Sequence, residues 1–169
     1  MKRILTLFLA AICGLSLLSG CGGQDPTAFI TMTAAADGTS IKLGMSRDAM
    51  NVLKAPNSTN TFNDADCGMK RKWQNGDNFN NLVAVILVAS VFHTGEGISL
   101  DSAAADVLPA YQKDPDVKVL QNDSSKLILG KQINGVNYTA TFRFYPDGSV
   151  KTITLTNTDL YTEDEADYT

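Results

Sequence analysis

The chain has 169 residues, 44% of them apolar, and carries 18 Asp plus Glu against 14 Lys plus Arg, for a formal net charge of −4. That acidic balance argues against nucleic acid as a partner, because phosphate contacts need clustered Lys and Arg. With 3 cysteines and 1 histidine, it offers little material for a thiolate metal site or a disulfide framework.

The first element is an export signal. Lys2 and Arg3 give a positive amino end, and the run from Ile4 to Leu18 is apolar apart from Thr6, Gly14 and Ser16. At about 15 residues the run falls short of the roughly 20 needed to span a bilayer. It ends at Leu18-Ser19-Gly20-Cys21, which resembles the lipobox of bacterial lipoproteins. The resemblance implies a signal peptide over 1–20, cleavage before Cys21, a diacylglycerol thioether on its sulfur, and anchoring by two or three acyl chains to the extracytoplasmic side of a membrane. The alternative is an ordinary secretory signal with an incidental cysteine. Cleavage leaves 149 residues with a formal net charge of −6. Cys67 is then the one remaining thiol, so the domain must rely on packing and not on disulfides.

Residues 21–38 are rich in small side chains without a sustained period, which predicts a flexible tether. A first unit, 39–94, opens with Ile41 and Leu43 in alternation. Ser46 is placed to cap a helix carrying Ala49, Met50 and Leu53, and Pro56 ends it. "CGMKRKWQNGDNFNNLVAVILVAS" then reads as two strands about a turn near Asn75-Gly76-Asp77, with Leu82–Val91 as a strand buried on both faces.

A second unit, 95–157, repeats the plan. Ser102 is placed to cap a helix with Ala104, Val107, Leu108 and Tyr111 on one face, shortened or kinked by Pro109. "VKVLQ", "SKLILGKQI", "VNYTATFRFY" and "SVKTITLTN" read as a four-stranded meander with turns at Asn134-Gly135 and Pro146-Asp147-Gly148. Residues 158–169 pack acids with little to bury and predict a frayed, disordered tail. The expected fold is α+β: two tandem units, each with short helices packed on one face of an antiparallel β-meander.

"IKLGMSRDAMNVLKAP" resembles the opening motif of the small outer-membrane assembly lipoproteins (SmpA/OmlA) and of β-lactamase inhibitory proteins. Thr94-Gly95-Glu96-Gly97-Ile98 with Asp101-Ser102 resembles the second-unit opening of such lipoproteins. The resemblance implies tandem helix-on-sheet units over about 39–157. It departs at Lys54 and Gln112, which stand where a glycine normally ends each helix, and it reaches no binding residue set.

No paired-carboxylate, phosphate-loop or His-Glu-x-x-His signature is present, and the chain reads as non-enzymatic, with no metal or cofactor. A Cys67/His93 dyad is disfavoured, because a hairpin centred near Gly76 separates the pair by roughly 25 Å at about 3.3 Å per residue, whereas a turn nearer Phe79 would bring them closer. Asp64 and Asp66 in "NDADCG" lack the further ligands of a calcium loop. "MKRKWQ" reads as a solvated strand face with Lys70 and Lys72 on one side and Arg71 and Trp73 on the other. Trp73, Phe142 and Tyr145 are the aromatics that an exposed sheet face would offer, core packing being the competing reading. The expected function is that of a lipid-anchored envelope lipoprotein with a protein partner, tied to the membrane through Cys21 and binding no nucleic acid. The alternative is an envelope small-ligand binder or enzyme with an unrecognised site.

Overall fold

The structure is a computed structural model and describes residues 25–56, 67–74, 81–88 and 91–164. A 3-10 turn at Ala28–Ile30 leads into β1 (Thr31–Ala34), β2 (Ser40–Lys42), α1 (Arg47–Asn51), β3 (Met69–Trp73), β4 (Leu82–Leu87) and β5 (Phe92–Thr94). There follow α2 (Ala104–Tyr111), β6 (Lys118–Asn122), β7 (Lys126–Ile133), β8 (Val136–Phe144) and β9 (Val150–Asn157). Every strand pairing is antiparallel, in a three-stranded sheet ordered β2-β1-β5 and a six-stranded sheet ordered β3-β4-β9-β8-β7-β6.

This β-rich architecture corrects the expected α+β fold of two tandem helix-on-meander units. Among the described residues the α-helices are two and short, of 5 and 8 residues, while the strands number nine. The physical reason lies in β4. Its six residues are all buried, and it reaches that burial by inserting between β3 and β9, so strands from both halves of the chain complete one sheet. The segment expected as tether also departs from expectation within the described residues. Its Thr31–Ala34 is β1, the middle strand of the smaller sheet, with Met32 and Ala34 buried.

Local chemistry explains where the elements stop. The Ser46 hydroxyl accepts from Ala49 N–H at 3.2 Å and caps α1. Ser102 does not cap α2: Ala103 takes that position, and the Ser102 hydroxyl accepts from Ser99 N–H instead. Both helices have a right-handed C-cap, Val52 and Gln112, and no left-handed residue follows either: among the described non-glycine residues positive φ occurs at Asn134. Asn134 and Gly135, at φ 52° and 83°, form the mirror-image turn that matches the strand twist between β7 and β8.

The six-stranded sheet keeps its two faces distinct. Leu87, Ile153, Phe142 and Leu127 lie in one register row, and Val85, Leu155, Ala140 and Leu129 in the next; all eight belong to the main apolar cluster. That cluster also takes in Met32, Ile41 and Phe92 from the smaller sheet and Val107 and Tyr111 from α2. Tyr111 meets the rings of Phe29 and Phe142 edge-on at 5.7 and 5.5 Å, a favoured arrangement of aromatic quadrupoles. The opposite face carries Thr141, Thr152, Thr154 and Thr156, all buried.

Within the described residues, the stretch 158–164, expected from its composition to be part of a frayed tail, is hydrogen-bonded to the sheet. Asp159 accepts from the Asn137 backbone and side chain at 2.9 Å each. One Glu163 oxygen accepts from Thr141 and Thr156 at 3.0 and 2.9 Å. The acids expected to be solvated are used as hydrogen-bond acceptors by the sheet.

Candidate functional site

Cys21, with the whole predicted signal and lipobox, lies outside the described residues. Asp64 and Asp66 lie outside them too, and no group of three or more metal-ligating side chains occurs among the residues described. No described helix is long and apolar enough to cross a membrane.

Cys67 and His93 belong to different parts of the fold. Cys67 is buried just before β3 in the larger sheet. His93 sits half-buried on β5 of the smaller one, its Nδ1 at 2.8 Å from the Thr94 carbonyl. The β3–β4 register pairs Met69 with Leu87, where a turn centred on Gly76 would pair it with Val83. A slip between Lys72 and Trp73 leaves Val83 without an opposite residue. Such a bulge increases the local twist and re-aims the side chains beside it.

At that bulge the structure gathers residues distant in sequence. Gly44 N–H donates to the Leu82 carbonyl and Leu82 N–H to the Met45 carbonyl, at 2.8 Å each. Ser46 bridges to Asn81. These bonds tie the start of α1 to the start of β4, opposite Trp73. As a result Arg47 places its guanidinium carbon 4.5 Å from the centre of the Trp73 ring, and that of Arg71 lies 5.6 Å from it. Both distances are within the reach of a cation–π attraction.

From the other side comes the C-terminal stretch. Leu160 and Tyr161 N–H groups both donate to the Asn157 carbonyl, turning the chain after β9, and the Lys72 ammonium stands 6.0 Å from the Tyr161 ring. Together these side chains and Gln74 line a basin of about 570 Å³ that is open to solvent. Among the described residues, three of the seven that line it are cations, Arg47, Arg71 and Lys72.

Comparison with family models, with curated proteins and with solved structures found no match. Nothing in those comparisons identifies the relationship to SmpA/OmlA lipoproteins or β-lactamase inhibitory proteins that the short motifs suggest.

Of the three aromatics singled out in the sequence, Phe142 is fully buried, Tyr145 is 47% exposed and Trp73 is half-buried against the core. Only Trp73 belongs to the basin. The "MKRKWQ" run supplies Arg71, Lys72, Trp73 and Gln74. Arg47 and Tyr161 have no local sequence signal linking them to it. Arg47 arrives through backbone hydrogen bonds made by its neighbours, and Tyr161 through its own N–H bond to the Asn157 carbonyl.

Proposed function

We propose that the protein is a lipid-anchored lipoprotein of the bacterial cell envelope whose β-rich domain is a protein-binding module. Anchoring rests on Leu18-Ser19-Gly20-Cys21 directly after the apolar run. Binding rests on one observation, the open basin that presents Arg47, Arg71, Trp73 and Tyr161 together. Arg, Trp and Tyr are the residue types that dominate interface hot spots, because each combines a large apolar or planar surface with hydrogen-bonding groups. An open basin of this kind suits a protuberance of another protein better than it suits the enclosure of a small molecule.

Two experiments test the two halves of the reading. Mass spectrometry of the detergent-extracted protein should find an amino-terminal Cys21 carrying diacylglycerol, and Cys21→Ser should leave an unprocessed precursor. A water-soluble mature protein with an unmodified Cys21 would refute anchoring. For binding, a photo-crosslinking benzoylphenylalanine placed at Leu160 should capture the same protein repeatedly in intact cells, and Trp73→Ala should abolish the adduct. Adducts no different from those made by the same group at Val119, far across the sheet, would refute a binding role for the basin.

A further inference from the structure

We infer that the edge strand β6 rests on the lipid bilayer, with Val119 and Leu120 buried in its interfacial layer and Lys118 among the headgroups. The inference rests on the anchoring half of the reading above.

Chain length is the first argument. Composition predicts a tether as far as residue 38, yet the chain is built into the domain from Asp25 onward. The Asp25 carboxylate accepts from the Thr27 N–H and hydroxyl at 2.8 Å each, its carbonyl accepts from Ala28 N–H at 2.9 Å, and Phe29 and Ile30 are buried. Gly22, Gly23 and Gln24 are all that separates Asp25 from Cys21 in the sequence. Four residue steps of fully extended chain span at most about 14 Å. An acylated Cys21 therefore holds this corner of the domain close to the lipid surface.

What lies at the corner is the second argument. The Lys131 ammonium donates to the Pro26 carbonyl at 3.5 Å. On β7 Lys131 follows Gly130, which pairs with Lys118 on β6, and Lys118, Leu120 and Lys131 line the same depression. Strand β6 ends the larger sheet, and on it the consecutive Val119 and Leu120 are 47% and 59% exposed. Neighbours on a regular strand point to opposite faces. Here the register skips Leu120 between Val119 and Gln121, and such a bulge re-aims the side chains beside it. An exposed apolar edge strand in water invites pairing with other chains; a bilayer removes that hazard by covering it. Lys118, exposed beside the pair, has a methylene stem long enough to lie along the apolar layer while its ammonium stays among the headgroups.

The opposite edge of the sheet is β3, five strands from β6, or about 24 Å at about 4.8 Å per strand. The basin around Trp73 thus stays clear of the lipid and open to a protein partner.

Trp73 is the single tryptophan of the chain, which makes it an internal reference. The full acylated protein and its Leu120→Trp variant are reconstituted in phosphatidylcholine vesicles, with and without phospholipid brominated high on its acyl chains. The variant should gain a blue-shifted emission component that brominated lipid quenches, while the emission of the parent protein is unchanged by bromine. In intact cells, benzoylphenylalanine at Leu120 should gain the mass of a phospholipid on irradiation. The same group at Val52, 76% exposed at the end of α1, should not. Both positions are exposed, and unchanged thermal unfolding would show that the variants remain folded. No quenching in Leu120→Trp, equal lipid adducts at Leu120 and Val52, or a Leu120 adduct with a second copy of the chain or another polypeptide would each overturn the inference. If Cys21 carries diacylglycerol while these tests fail, the anchoring reading stands and only the contact of β6 with lipid falls. An unmodified Cys21 removes both.

Discussion

Lys131 on β7 and Asp114, three residues beyond α2, form a buried ion pair whose side chains are only 7% and 9% exposed. Asp114 also accepts from Asp116 N–H at 2.9 Å, and the Lys131 ammonium reaches back to the Pro26 carbonyl. One pair thus joins the larger sheet, the loop after α2 and the start of the described chain. Its geometry has consequences for mutation and for pH.

Removing one partner leaves the other charge buried without its counter-ion. Asp114→Asn or Lys131→Met should each destabilise the fold by about 3 kcal/mol, the scale observed when a buried pair is broken from one side. The Asp114→Asn, Lys131→Met double variant should lose clearly less than the sum, because neither charge is then stranded. Denaturant unfolding of the four proteins measures this directly. Additive losses would show that the two groups are not coupled.

The same pair sets an acid limit. Burial by itself would push the Asp114 carboxyl up, but the hydrogen bond from Lys131, the Asp116 N–H and the Lys131 charge outweigh it and hold the carboxyl below its ordinary 3.8. A carboxyl depressed in the folded state contributes stability that is fully present above its unfolded value and is lost as pH falls through the folded one. Stability should therefore decline from about pH 4 downward, and Asp114→Asn should flatten that limb. An acid limb of equal slope in the variant would assign the decline to other carboxylates.

Gly95 lies against the 3-10 turn so closely that a methyl group there would stand 2.3 Å from the Ala28 carbonyl oxygen and 2.7 Å from its Cα. Both obstacles are backbone, and the Gly95 N–H is itself bonded to the Thr31 carbonyl at 2.8 Å. Gly95→Ala should cost about 2 kcal/mol by forcing the turn away from β5. Unchanged unfolding would mean that the turn yields without penalty.

Glu163 gathers two buried threonine hydroxyls on one oxygen. Glu163→Ala should cost about 1 kcal/mol, since both hydroxyls lose an acceptor, and should speed amide hydrogen exchange over residues 160–164. Leu160 and Tyr161 line the basin, so the adduct captured from Leu160 should weaken as well. Unaltered exchange would show that Glu163 is not what holds this stretch.

The strands of the second half of the chain were legible in the sequence. β7, β8 and β9 alternate, because one face of each strand packs on the apolar cluster while the other carries Thr141, Thr154 and Ile128. Asn134-Gly135 marked a turn because those two residues accept the positive φ it needs. The candidate site was half legible. "MKRKWQ" stood out, but strand parity implied a plain solvated face, and a bulge at Val83 is not visible in a run that is apolar throughout.

What the sequence by itself determined is local: strand periods, the Ser46 cap, helix ends without glycine, and the lipobox that carries the proposal of an anchor. Only tertiary structure decided that β4 would sit between β3 and β9, drawing both halves into one sheet. It also decided that Arg47 would stand over Trp73, 26 positions away. The reason is physical. Local patterns specify which faces and edges a segment offers, whereas the choice among partners depends on the burial of all of them at once.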